Sequence, residues 1–182
     1  AGANSATAPT TPMTKVPLPC SSDWTTKFCI SVLVQGSLRQ LLQNANAITG
    51  TNVMRFVPTV PANARAWWQV AVSHDLPDIV DINSTLDGSA YSLSDGISLR
   101  DENPGWLGTG GVVGVDGLTL PTLNRPEFEI LDSNNRNIGL DVQANSVTIR
   151  RIAISGFGDA QNNDGEANIR VGTVTDTLIE ES

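Results

Sequence analysis

The sequence predicts an all-β chain wound as a right-handed parallel β-helix, a solenoid opened by a capping strand and a short amphipathic helix. From Phe128 onward the chain breaks into very short apolar runs, FEIL, IGLDV, VTI, IAI, NIRV and TLI, separated by Asn, Asp and Gly. These runs repeat. Setting IGLDVQANSVTIRR over NIRVGTVTDTLIEE brings Leu140 over Ile169, Val142 over Val171 and Ile149 over Ile179, at offsets of 29 or 30 residues. The composition agrees: 40% hydrophobic and 16% charged residues, with 16 glycines and 10 prolines, describe a turn-rich β chain rather than a helical bundle.

The repeat matters because a strand of three to five residues cannot bury a face alone. Stacked coil over coil, each backbone group pairs with the coil above and below, and Leu, Val and Ile line up in continuous internal columns. Val147, Ile149, Ile152 and Ile154 are then inward, with Thr148, Arg150, Arg151 and Ser155 outward. The polar stretch 156–165 (GFGDAQNNDG) is expected to loop out of the coil.

Along the chain, residues 1–19 are rich in Ala, Thr, Ser and Pro and read as a flexible or extended arm, ahead of a single domain over 20–182. Within that domain, 20–60 form an N-terminal cap, 61–127 irregular strands and glycine-rich loops, and 128–182 the regular coils. Phe28 to Val34 (FCISVLV) is the capping strand. With Ser37 as N-cap, Leu38, Leu41, Leu42 and Ala45 fall on one face of a helix that Gly50 terminates. Further strands are expected at 53–57, 68–72, 79–82 and at Thr85 and Leu86 before an Asp87-Gly88 turn, with others at 111–115 and 118–120.

Charge narrows the function classes. The net charge of −8 argues against nucleic acid as a partner, because phosphate binding needs a basic face. The charge is also divided: residues 1–70 carry a net +4 and residues 71–182 a net −12. No stretch approaches the roughly 20 apolar residues of a membrane span. Cys20 and Cys29 lack the company a zinc site requires, so a disulfide in an exported protein is the expectation, with two buried free thiols as the alternative. The opening AGANSATAPTTP reads as a processed N-terminus, which places the protein in the secreted or cell-surface compartment.

GSLRQLLQNANAITGTNVMRFV, then LPDIVDINSTLDGS, then NSVTIRRIAISGFG resemble, in that order, the N-terminal part of the CSLREA-type right-handed β-helix proteins of bacterial cell surfaces. Gly36 stands where that family has its name-giving cysteine, and Gln40 replaces its glutamate. The resemblance implies an exported coil architecture with a structural or adhesive role.

No catalytic or cofactor-binding residue is assigned. His74, beside Asp75, has no Gly-x-Ser-x-Gly elbow or other triad signature to work with. Asp81, Asp87, Asp132 and Asp141 are the acids that a carbohydrate-active enzyme on this scaffold, a polysaccharide lyase or glycosidase, would draw upon. Asp159, Asn162, Asn163, Asp164 and Glu166 crowd one loop with the hard oxygens calcium prefers, although a solvated turn needs the same residues. Trp24, Trp67, Trp68 and Trp106 could stack on sugars, but an adjacent pair in a chain with few aromatics fits a core or an interface better. The final residues TLIEES match an earlier rung and leave an apolar end exposed. Other copies of the chain, or a longer continuation of it, are the expected partners there, with surface glycans as a further partner. A head-to-tail filament follows if the basic N-terminal region docks on the acidic end of a neighbour.

Overall fold

The computed structural model describes residues 37–182 other than 63–64, 109–110, 114, 116, 120 and 159–164. The arm at 1–19, the strand expected at 28–34, both cysteines and Trp24 lie outside the described residues. The fold is mostly β, with parallel sheets and a single short helix among the described residues, and no helix there is long and apolar enough to cross a membrane.

Helix α1 (Leu38–Ala47) opens it. Ser37 accepts a hydrogen bond from Gln40 N at 3.2 Å, satisfying one of the N-terminal donors, and the helix buries Leu42 and Ala45 while Leu38 and Leu41 pack partly against the same core. The helix stops at Ile48, whose N–H bonds Ala45 O, and Gly50 follows with φ of +117°. Asn52 then binds the frayed end, donating to Ile48 O and to Asp81 Oδ2 at 2.7 Å.

The strands follow as β1 (Asn52–Phe56), β2 (Trp68–Val72) and β3 (Ser84–Tyr91), then the short β4 (Leu99–Arg100), β5 (Trp106–Leu107), β6 (Val112–Val113), β7 (Leu118–Thr119) and β8 (Leu123–Asn124). They continue with β9 (Phe128–Asp132), β10 (Ile138–Val142), β11 (Thr148–Arg150), β12 (Ile152–Ser155), β13 (Ala167–Val171) and β14 (Leu178–Glu180). Three parallel sets result. β1, β3, β11 and β14 form sheet A, β2, β9 and β12 form sheet B, and β10 with β13 forms sheet C, to which Ile79 adds a parallel bridge with Val142. The chain therefore visits A, B and C in the same order three times before entering A again. Every neighbour within a set belongs to the next passage of the chain, apart from β4, which runs antiparallel on β3.

The registers are those the repeat predicts. Leu140 pairs with Ile169, Val142 with Val171, and Ile149 with Ile179. The stack also reaches further toward the N-terminus than the sequence indicates, because Met54, Leu86 and Ile149 form one column and Trp68, Phe128 and Ile152 another. These columns make the core: Leu86 is 3% exposed, and Ile149, Ile152, Leu140 and Val142 are fully buried. Phe56 stacks on Phe128 with ring centroids 4.4 Å apart and meets Trp68 edge-on, closing the first passage.

Corners are made by single residues in the left-handed region. Asn83, Ser146 and Asp176 have φ of +59°, +57° and +58° and each precedes its sheet A strand at the same register position. Arg151 and Glu181, at +56° and +52°, do the same on leaving sheet A. Arg151 thus turns the chain between β11 and β12 in one residue, so that Ile149 and Ile152 both point inward.

One expected turn is a strand. Asp87 and Gly88 lie inside β3, where the register slips so that Arg55 faces Asp87 and Phe56 faces Ala90, leaving Gly88 and Ser89 as a bulge. Gly88 is needed there because a Cβ would sit 2.3 Å from Arg151 O and 2.4 Å from Ile152 Cγ1. Similarly, only Ile79 of the strand expected at 79–82 pairs as β structure. Between β3 and β9, β4 turns back antiparallel on β3, and beyond it the described residues leave the stack as antiparallel pairs β5 with β8 and β6 with β7. Glu127 ties this excursion down, its carboxylate accepting from Glu102 N and Asn103 N at 3.2 and 3.1 Å.

Two substitutions test the register. Ile149→Ala, in the fully buried column, should cost about 2–5 kcal/mol in urea unfolding, whereas Ile179→Ala, 43% exposed at its end, should cost less than half as much. Gly88→Ala should destabilise by about 1–3 kcal/mol through the contact with Arg151 O.

Candidate functional site

The outer faces carry the polar chemistry, and the strand register sets which groups meet. On sheet A, Arg55, Asp87, Arg150 and Glu180 occupy successive rungs of one outward column, alternating in sign. Asp87 is the hub of this column. Only 1% of it is exposed, and its carboxylate accepts from Ser89 N at 3.0 Å, Tyr91 Oη at 2.8 Å and an Arg150 guanidinium nitrogen at 2.8 Å. Burial works to raise the Asp87 carboxyl, but these hydrogen bonds outweigh it and hold the group below the ordinary carboxylate range. Tyr91 is pushed up, by burial first and then by its bond to Asp87, while Arg55 sits 4.9 Å above its ring.

Sheet B has a second polar centre on Glu129. It accepts from Trp67 Nε1 at 2.8 Å and Gln69 Nε2 at 2.7 Å on the passage before it and from Ser155 Oγ at 2.9 Å on the passage after it. Burial raises this carboxyl, but the donors more than compensate and its pKa lies below the usual value. Trp67 is thereby fixed on the outer face and Trp68 in the core, with Trp68 Nε1 donating to Val60 O. Trp106, on β5, is 67% exposed.

Sheet C carries a groove of about 370 Å³. Asp78 precedes Ile79, which bridges Val142, and Asp141 pairs with Arg170, so Asp78, Asp141 and Arg170 form one column across three passages. Asp141 is 6% exposed and holds Arg170 by an ion pair while accepting from Gln143 Nε2 at 2.6 Å. The Arg170 guanidinium is raised chiefly by that bond to Asp141. Asp75 and Arg136 face each other at 3.6 Å on the groove's other wall, and Arg39 of α1 donates to Asp75 O. Arg136 Nε is buried without a hydrogen-bond partner among the described residues. Asn135 and Asn137 add carboxamides at the rim, and Leu76 and Ile138 supply its apolar patches.

The four acids singled out in the sequence therefore do not form one centre. Asp81 binds Asn52 and lies near Ser84, Asp87 belongs to sheet A, and Asp132 closes the turn after β9 by accepting from Asn134 N and Arg136 N. Only Asp141 lines the groove. His74 Nδ1 lies 2.9 Å from Ser73 Oγ on an exposed turn, with Asp75 turned to Arg136. Of the calcium candidates, Asp159, Asn162 and Asp164, together with Asn163, lie outside the described residues; Glu166 is described, and its Oε1 is buried without a hydrogen-bond partner among them. Arg136 and Arg170 escaped the sequence reading because paired columns only become visible once the register of sheet C is known.

No family model, curated protein or solved structure matches this chain.

The sign of the pH dependence follows from Asp87. Its folded pKa is depressed, so its contribution is complete above the unfolded value near 3.8 and is lost as pH falls through the folded value. Urea midpoints measured from pH 6 downward should drop below about pH 4 more steeply for the native chain than for Asp87→Asn. At neutral pH, Asp87→Ala should cost roughly 2–4 kcal/mol, because Arg150 is left partly buried without its partner.

Proposed function

We propose that this chain is a short right-handed parallel β-helix that serves as a structural or adhesive component of an extracellular surface. The observation that carries the reading is the repeated order of the three parallel sets, with left-handed corner residues Asn83, Ser146 and Asp176 in register. A parallel crossover of this kind is almost always right-handed, which supplies the hand. The resemblance to CSLREA-type surface proteins supports the same architecture, with α1 capping the N-terminal mouth through its buried Leu42 and Ala45.

The exposed apolar residues of the last passage support the role. Val171 and Ile179 are 42% and 43% exposed, although their counterparts Val142 and Ile149 one passage earlier are fully buried, and Leu178 beside them is 49% exposed. Glu180, Glu181 and Asp176 surround this apolar end, whereas residues 1–70 carry a net +4. A second copy placed head to tail covers the apolar residues and pairs opposite charges, and heterologous contacts of that kind propagate into filaments. A longer continuation of the same solenoid covers the same end in a fibre built from one chain.

Electron microscopy and light scattering at low salt and high concentration test the assembly. Rods that disappear in Ile179→Asp support it, and monodisperse single particles overturn the filament. An intact mass of the native protein separates the filament of short subunits from the longer solenoid.

A further inference from the structure

We infer that the groove on sheet C is a binding site for a neutral saccharide. This deepens the adhesive part of the reading above and rests on the register that sets three strands of the coil side by side. Asp78, Asp141 and Arg170 stand one above another on those strands, a span of about 10 Å at the usual strand spacing. The groove's volume of about 370 Å³ lies in the range of small-ligand sites.

Its chemistry selects the ligand. Asp141 is tied to Arg170 and Asp75 faces Arg136, so two of the groove's three carboxylates are offset by a guanidinium. A carboxylate has about four lone-pair sites, and Asp141 uses two of them on Arg170 and Gln143. Each guanidinium has five donors, and the Arg170 and Arg136 side chains are 44% and 29% exposed beside the carboxylates they face. Acceptors and donors therefore alternate along the wall. A sugar hydroxyl donates to one and accepts from the next, which neither a purely anionic nor a purely cationic ligand can do.

Charge excludes the other classes. An anion meets three carboxylates, Asp75, Asp78 and Asp141, against two guanidiniums already committed to them, on a chain of net charge −8. A cation meets those guanidiniums. No three His, Cys, Asp or Glu side chains among the described residues are grouped to hold a metal ion. The apolar patches of Leu76 and Ile138 suit the C–H face of a sugar ring.

Saturation-transfer NMR with glucose, galactose, mannose and N-acetylglucosamine as neutral probes, and glucuronate and glucosamine as charged ones, tests the site. At least one neutral sugar should show transfer, and the exposed substitutions Asp78→Ala and Asn137→Ala should each weaken it about tenfold, the loss of roughly one hydrogen bond to a charged or polar group. Glu180→Gln, on sheet A, should leave it unchanged, and circular dichroism should report the same fold for all three variants. Transfer to no neutral sugar, transfer to the charged sugars alone, or neutral-sugar transfer unaffected by both groove variants overturns the proposal. Sugar binding by a monomer, or filaments that bind no sugar, separates this inference from the assembly.

Discussion

Everything in this fold depends on short strands keeping step from one passage of the chain to the next. A strand such as β11, three residues long, satisfies its backbone only because β3 lies on one side and β14 on the other. The same alignment decides burial, since a one-residue slip would turn Ile149 outward and Thr148 inward. The corners enforce it. Asn83, Ser146 and Asp176 accept the left-handed conformation with less strain than β-branched or bulky residues, and their equal placement brings β3, β11 and β14 into step.

Once register is set, the outer face becomes a set of columns whose members are distant in sequence. Asp87 and Arg150 are 63 residues apart and share a 2.8 Å bond; Trp67 and Glu129 are 62 apart and are joined in the same way. Alternation of sign along Arg55, Asp87, Arg150 and Glu180 makes each added passage favourable to the one before it. The long excursion at 92–127 is tolerated because it leaves and re-enters at points the stack already defines, with Glu127 fastening its return. Burial raises the Glu127 carboxyl, so this clamp is held in a poorly hydrated place.

The candidate groove arises from the same rule. Its wall is a column on sheet C rather than a local motif, and its second wall comes from turns that follow β2 and β9. Polar groups placed by three passages of backbone are held rigidly, as a recognition surface requires. The acids of the sequence reading were the right residue type, but type alone did not reveal that Asp81, Asp87 and Asp132 bind partners elsewhere in the fold and that Asp141, nearly buried, lines the groove with Arg170.

The spacing of apolar residues after Phe128 was sufficient, without coordinates, to show which of them pair, because intervals of 29 or 30 residues leave one alignment that buries Leu140, Val142 and Ile149 together. The helix was equally legible, since Ser37 and the period of Leu38, Leu41, Leu42 and Ala45 are local signals. Tertiary structure alone decided the rest. Asp87-Gly88 reads as a turn, yet it became a bulge because Arg151 and Ile152 approach too closely for any side chain at residue 88. The passages before Phe128 were hidden by the excursion at 92–127, whose length breaks the repeat without breaking the stack. Which carboxylate meets which guanidinium depends on adding up those unequal intervals, and that sum is a property of the folded coil.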